Sequence, residues 1–208
     1  MKKLESTLPN MVIVLTVVAV ISGAVLASLN HATEAPIKEQ SEKALAEGIK
    51  SVMATDQLNV TGEDTIKQEI NGKEQVFVVH KVSDAQGKAL GAAVESTTMG
   101  FGGDLKVLVG FSCDNKILGY TVLEHAETPG LGAKADVWFQ NPSAPGSNIV
   151  GRVMDAGKPL TVTKDGGEIN AITASTITSR AFLNAVNQAY SAYSQGCDAA
   201  TGATKQEK

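Results

Sequence analysis

The strongest pattern along the chain is an uninterrupted apolar run from Met11 to Leu29, MVIVLTVVAVISGAVLASL. It carries no charge, and its polar side chains, Thr16, Ser22 and Ser28, can bond back to their own helix. At 1.5 Å per residue such a helix crosses about 30 Å, the thickness of a bilayer's hydrocarbon core. Val25 and Ala27 would suit the cleavage site of a secretory leader, but the run is long for a leader's apolar region. A retained transmembrane helix over residues 11–29 is therefore expected. Lys2 and Lys3, opposed only by Glu5, put residues 1–10 on the cytoplasmic side and everything after Asn30 outside.

The pattern then changes. Glu34 to Lys50 (EAPIKEQSEKALAEGIK) is charged and Ala-rich, with Ile37, Leu45 and Ile49 as sparse apolar points; it predicts a helical stalk within residues 30–57. From residue 58 to 196 the positions read as one folded domain. Val76–Val82 is β-branched and aromatic, and Leu90–Val94 follows it as a shorter strand across the turn Ser83–Gly87. Leu105–Phe111 and Ile117–Leu123 flank Cys113-Asp114-Asn115-Lys116 as a hairpin. A long irregular stretch follows from Glu124 to Gly157, of the kind that usually carries function. Lys158–Thr163 suggests another strand, closed by the turn Asp165-Gly166-Gly167. From Ser179, the positions Phe182, Val186, Ala189, Tyr190 and Tyr193 recur at helical spacing, and Gly196 is placed to end that helix. Residues 197–208 form a polar tail. The fold class expected is α+β: an N-terminal transmembrane helix, then a mostly antiparallel sheet with flanking helices.

Composition narrows the function. Of 208 residues 43% are hydrophobic and 19% charged, which excludes a disordered chain. Aromatics at 4% and a net charge of −4 speak against nucleic-acid binding. Cys113 and Cys197 are too few for a disulfide scaffold or an iron–sulfur cluster, and read as ordinary residues unless they pair. His31, His80 and His125 show no zinc-ligand spacing, so no metal site is expected.

Three local features carry candidate chemistry. Thr173-Ala174-Ser175-Thr176-Ile177-Thr178-Ser179-Arg180 puts five hydroxyls and an arginine at a helix start. Capping by Thr178 or Ser179 needs one hydroxyl; the alternative is an anion site built on free N–H groups, the helix dipole and Arg180. Glu124-His125-Ala126-Glu127-Thr128-Pro129-Gly130-Leu131-Gly132 is a turn flanked by carboxylates and a histidine, without metal-ligand spacing. Met99-Gly100-Phe101-Gly102-Gly103 is a glycine-rich loop lacking the Lys-Ser/Thr of a P-loop.

Taken in order behind the apolar run, GFGGDLKVLVGF, LGYTVLEHAETPGLGAK and ASTITSRAFLNAV resemble the FMN-binding domain found in the G subunit of Rnf-type electron-transport complexes. The C subunit of sodium-translocating NADH:quinone reductase shares that domain. The resemblance implies FMN attached through its phosphate to a threonine, in a motif of the form Ser/Thr-Gly-Ala-Thr-x-Thr/Ser. Laid on Thr173–Thr178 it makes Thr176 the acceptor, with Ala174-Ser175 in place of the usual Gly-Ala and with Ser175 and Thr178 as neighbouring alternatives. It further implies a flavin transferase that uses FAD, and cofactor contacts from Glu127, Thr128, Pro129, Gly130, Leu131, Gly132, Ser175, Thr178, Ser179 and Arg180. In this reading Pro129 and Leu131 form an apolar wall for the ring system. No residue is implied as catalytic: the chain would be an electron carrier among other subunits of an ion-translocating complex. Its place would be the bacterial inner membrane, with the domain extracytoplasmic. A flavin-free structural or assembly subunit is the alternative.

Overall fold

The structure, a computed structural model, describes residues 7–55, 58–70, 72–144 and 146–201, without the side chains of Lys73 and residues 197–201. The chain divides into two units, one ending at Ala44 and one beginning at Leu45. Helix α1 (Leu8–Met53) contributes to both. In the first unit its apolar residues between Met11 and Leu29 are exposed, and none of its most hydropathic stretch is buried by protein. It is long and apolar enough to cross a membrane. The anchor and the stalk, expected as separate segments, belong to this one helix.

The second unit is built on a five-stranded antiparallel meander in chain order: β1 (Asn59–Ile70), β2 (Lys73–Ser83), β3 (Ala89–Met99), β4 (Asp104–Ser112) and β5 (Ile117–His125). Alternation along the strands sorts side chains by face. Phe77, Val79, Val94, Val107 and Val109 fall on one face and pack with helix α3 (Thr176–Thr201) through Phe182, Val186, Ala189, Tyr190 and Tyr193. Val82, Ala93 and Leu108 fall on the other and meet Ile49, Val52 and Met53 from the last turns of α1. Gly110 and Gly119, paired across β4 and β5, make room there: a Cβ at Gly110 would lie 2.5 Å from the Val52 carbonyl oxygen.

The segment after β5 is ordered by its own small core. It contains a 3₁₀ turn (Gly132–Lys134) and the one-turn helix α2 (Ala135–Trp138). The Tyr120 hydroxyl donates to the Ala135 carbonyl at 2.7 Å and accepts from the Phe139 amide at 3.1 Å. Burial raises the pKa of this phenol, so it stays a donor. Phe139 stacks on Phe182 at a 4.4 Å centroid distance, a contact worth about 0.5–1.5 kcal/mol beyond its buried area. The Trp138 indole N–H donates to the Asn170 carbonyl at 2.9 Å. The segment carrying the Glu127–Gly132 turn is thus tied both to the sheet and to the chain entering α3.

Three sequence expectations change. Lys158–Thr163 is not a strand: Val162 makes one isolated parallel bridge to Ile169, and Thr163–Asp165 is a 3₁₀ turn. Helix α3 starts at Thr176 rather than near Ser179, and it runs past Gly196 to Thr201. Alanine-rich sequence after Gly196 (CDAAT) sustains the helix where one glycine costs only about 1 kcal/mol. β1 was not anticipated at all. Cys113 is exposed and free, and the Cys197 side chain lies outside the described residues.

Candidate functional site

The β3–β4 connection, the turn after β5 and the start of α3 meet around a cleft of about 390 Å³, within the range of about 300–1,000 Å³ usual for small-molecule sites. Glu127 holds the three segments together. Its side chain is buried, Oε1 accepts from the Phe101 amide at 2.7 Å, and Oε2 accepts from the Thr178 hydroxyl at 2.7 Å. The Glu127 amide in turn donates to Nδ1 of His125 at 3.2 Å. A Cβ at Gly100 or Gly132 would collide with the Glu127 carboxylate, which is why glycine stands at both places. The glycine-rich loop therefore wraps a carboxylate of its own chain rather than a phosphate.

The hydroxyl-rich segment sorts into different jobs. Thr178 is buried and spends its proton on Glu127. Ser179 is fully buried, donates to the Ser175 carbonyl at 2.9 Å and accepts from the Ile172 amide at 2.9 Å. Neither caps the first free N–H groups of α3, as the sequence suggested; they lie inside the helix and fasten its approach. Ser175 is buried. Thr176, the first residue of α3, is half-buried on the cleft wall. Ala174, two residues before Thr176, has φ +61°, a left-handed conformation that costs a residue with a Cβ about 1–2 kcal/mol and suits glycine.

Of the residues read from sequence, Glu127, Thr128, Leu131, Gly132, Ser175, Thr176 and Thr178 line the cleft. Pro129 and Gly130 form the exposed outer bend of the turn and do not line it, so of the expected apolar wall Leu131 is present and Pro129 is not. Phe101 and Ile177, which the sequence marked only as members of the glycine-rich loop and the hydroxyl-rich segment, join Leu131 there, with 68%, 52% and 41% of their surfaces exposed. Ser179 is buried and does not line the cleft. Arg180 is not brought to it. Its guanidinium makes a two-pronged bond to Asp165 at 2.7 and 2.6 Å, which holds the Asp165 carboxyl below its ordinary range. The cation at the hydroxyl segment is instead Lys164, whose Nζ donates to Thr176 Oγ1 at 3.3 Å. No sequence signal marked Lys164, because its place follows from how the 3₁₀ turn docks.

The site suits an amphipathic anionic ligand. Its open apolar wall can receive a hydrophobic body, and the Thr176 hydroxyl with the Lys164 ammonium beside it can hold an anionic group. Among the described residues no group of three His, Cys, Asp or Glu side chains is placed to hold a metal.

Comparison with known proteins agrees with that chemistry. Residues 100–191 match the FMN-binding domain family, a span that takes in the glycine-rich loop, the turn and most of α3. The chain is 31% identical over 182 residues to the G subunit of the ion-translocating oxidoreductase complex of Shewanella baltica, covering 84% of each protein. It is 33% identical over 193 residues to the G subunit of the Na(+)-translocating ferredoxin:NAD(+) oxidoreductase complex of Acetobacterium woodii, covering 87% of this chain and 89% of that one. The crystal structure of Shewanella oneidensis NqrC aligns with a TM-score of 0.48 at 24% identity, over 69% of this chain and 72% of that one.

Proposed function

Because the chain belongs to the G-subunit family of ion-translocating oxidoreductase complexes and carries an FMN-binding domain, we propose that it is a membrane-anchored electron carrier holding FMN as a phosphoester on Thr176. One observation carries the choice of residue. Ser175, Thr178 and Ser179 are buried, and the last two already donate their hydroxyl protons, whereas Thr176 opens onto the cleft beside an ammonium group.

Bound FMN supplies the electron chemistry; the protein supplies place, orientation and environment. Thr176 holds the phosphate. Phe101, Leu131 and Ile177 give the ring an apolar surface and keep water from part of it. Glu127 keeps the glycine-rich loop and α3 at fixed separation, so the two walls of the cleft do not drift apart. A flavin transferase, with FAD as donor, makes the ester, and the chain is its substrate rather than its own catalyst. α1 anchors the domain, and Lys2 and Lys3 keep the N-terminus inside, so the domain works on the extracytoplasmic side of the bacterial inner membrane. A covalent link prevents loss of the flavin where no cytoplasmic pool replaces it. Within the complex, electron passage through this subunit is coupled to ion movement.

Thr176→Ala tests the reading. Protein matured together with the transferase is expected to lose all in-gel flavin fluorescence after denaturation, while wild type retains it. Fluorescence that persists in the variant would place the ester elsewhere, and a dark wild type would leave a flavin-free subunit.

A further inference from the structure

We infer that Lys164 is the residue that orients the Thr176 hydroxyl for flavin transfer and then holds the phosphodiester, and that the Asp165–Arg180 ion pair exists to deliver it. The inference rests on the reading that Thr176 is the acceptor.

Three contacts support it. Lys164 and Asp165 are neighbours in the 3₁₀ turn Thr163–Asp165, and Arg180 lies one helical turn beyond Thr176 on α3. The bidentate Asp165–Arg180 bond therefore clamps that turn to the helix face that carries Thr176. Exposed as it is, the pair adds little to stability; its two-point geometry fixes an orientation. With the turn so fixed, Nζ of Lys164 donates to Thr176 Oγ1 at 3.3 Å, leaving the hydroxyl proton free to depart.

In the transfer, a lone pair of Thr176 Oγ1 forms the bond to the flavin-side phosphorus of FAD. The anhydride P–O bond breaks, its electron pair leaves with AMP, and the hydroxyl proton is released to solvent. No oxidant or reductant is needed. Negative charge grows beside Oγ1 during attack and remains on the diester, so an ammonium 3.3 Å from that oxygen favours both. Arg180, neutralised by Asp165, is not the phosphate's cation.

The test uses the full chain in detergent, incubated with the transferase and FAD, with the flavinylated fraction followed by intact mass. Lys164→Gln is expected to slow labelling by about 10–100-fold, the span of a charge-assisted hydrogen bond. Lys164→Arg is expected to keep most of the rate, and both variants to melt as wild type does. Asp165→Asn should slow labelling less than Lys164→Gln and add little to it when the two are combined. Labelling of Lys164→Gln at the wild-type rate, or Lys164→Arg no better than Lys164→Gln, would overturn the inference while leaving Thr176 in place. Peptide mapping of labelled wild type to another residue would overturn the parent reading and this one together.

Discussion

Two carboxylates are buried among the described residues, and they are stabilised in opposite ways. Glu95, in β3 on the sheet face that α1 covers, is flanked by an imidazole and an ammonium group: Oε1 lies 2.7 Å from Nε2 of His80, and Oε2 lies 2.7 Å from Nζ of Lys106. Burial pushes its pKa up, but the hydrogen bonds and charges of His80 and Lys106 outweigh this and hold it below its ordinary value. Glu127, beside the cleft, is held by a backbone amide and a hydroxyl, both neutral. The first arrangement fixes structure by charge. The second braces three segments without engaging a cation.

Glutamine substitution separates the two. Glu95→Gln strands the Lys106 ammonium against a poorer acceptor and is expected to cost about 2–3 kcal/mol, less than a fully buried pair because the Lys106 side chain is 31% exposed. Thermal melts against pH carry the signature. The stability from Glu95 is complete above the ordinary carboxyl value of 4.5 and is lost as pH falls through its lower folded-state value. Wild type should therefore lose stability on acidification below about pH 4.5, and Glu95→Gln should lose less. An unchanged acid limb in the variant would show that Glu95 is not held by charge.

Glu127→Gln is milder. The amide oxygen still accepts from Phe101, and the amide N–H₂ donates to the Thr178 oxygen, so about 1 kcal/mol is expected by chemical denaturation. A loss as large as that at Glu95 would mean the Glu127 charge itself matters. The smallest effect belongs to Ala174→Gly, which relieves the φ of +61° against the added freedom of glycine in the unfolded chain. It is expected to raise stability by about 0.5–1 kcal/mol in the same titration, and a decrease would refute the strain.

The sheet was legible where hydrophobic residues dominate. β2, β4 and β5 announce themselves through VFVVHKV, LKVLVGF and ILGYTVL. β1 (NVTGEDTIKQEI) was not, because an edge strand with one partner exposes most of its positions and its polar residues mask the alternation carried by Ile66 and Ile70. Lys158–Thr163 misled in the other direction: its β-branched residues suggest pairing, yet Val162 finds only a single bridge. In the site, Thr176 and the turn at Glu127 were readable as motifs. That Glu127 bonds Thr178, 51 residues away, was not, since only the fold brings them together. Arg180 was misplaced for the same reason. Its partner Asp165 lies in a turn that local sequence does not aim at α3, and the same docking brings in Lys164.

The proposed function stands or falls with a flavin phosphoester at one side chain. Intact mass with peptide mapping of the wild-type protein, isolated from its native host, tests it most directly. The predicted result is a chain heavier by one FMN less one water, with the added mass on the peptide containing Thr176 and located at that residue. An unmodified chain, or an adduct on Ser175 or Thr178, would contradict it.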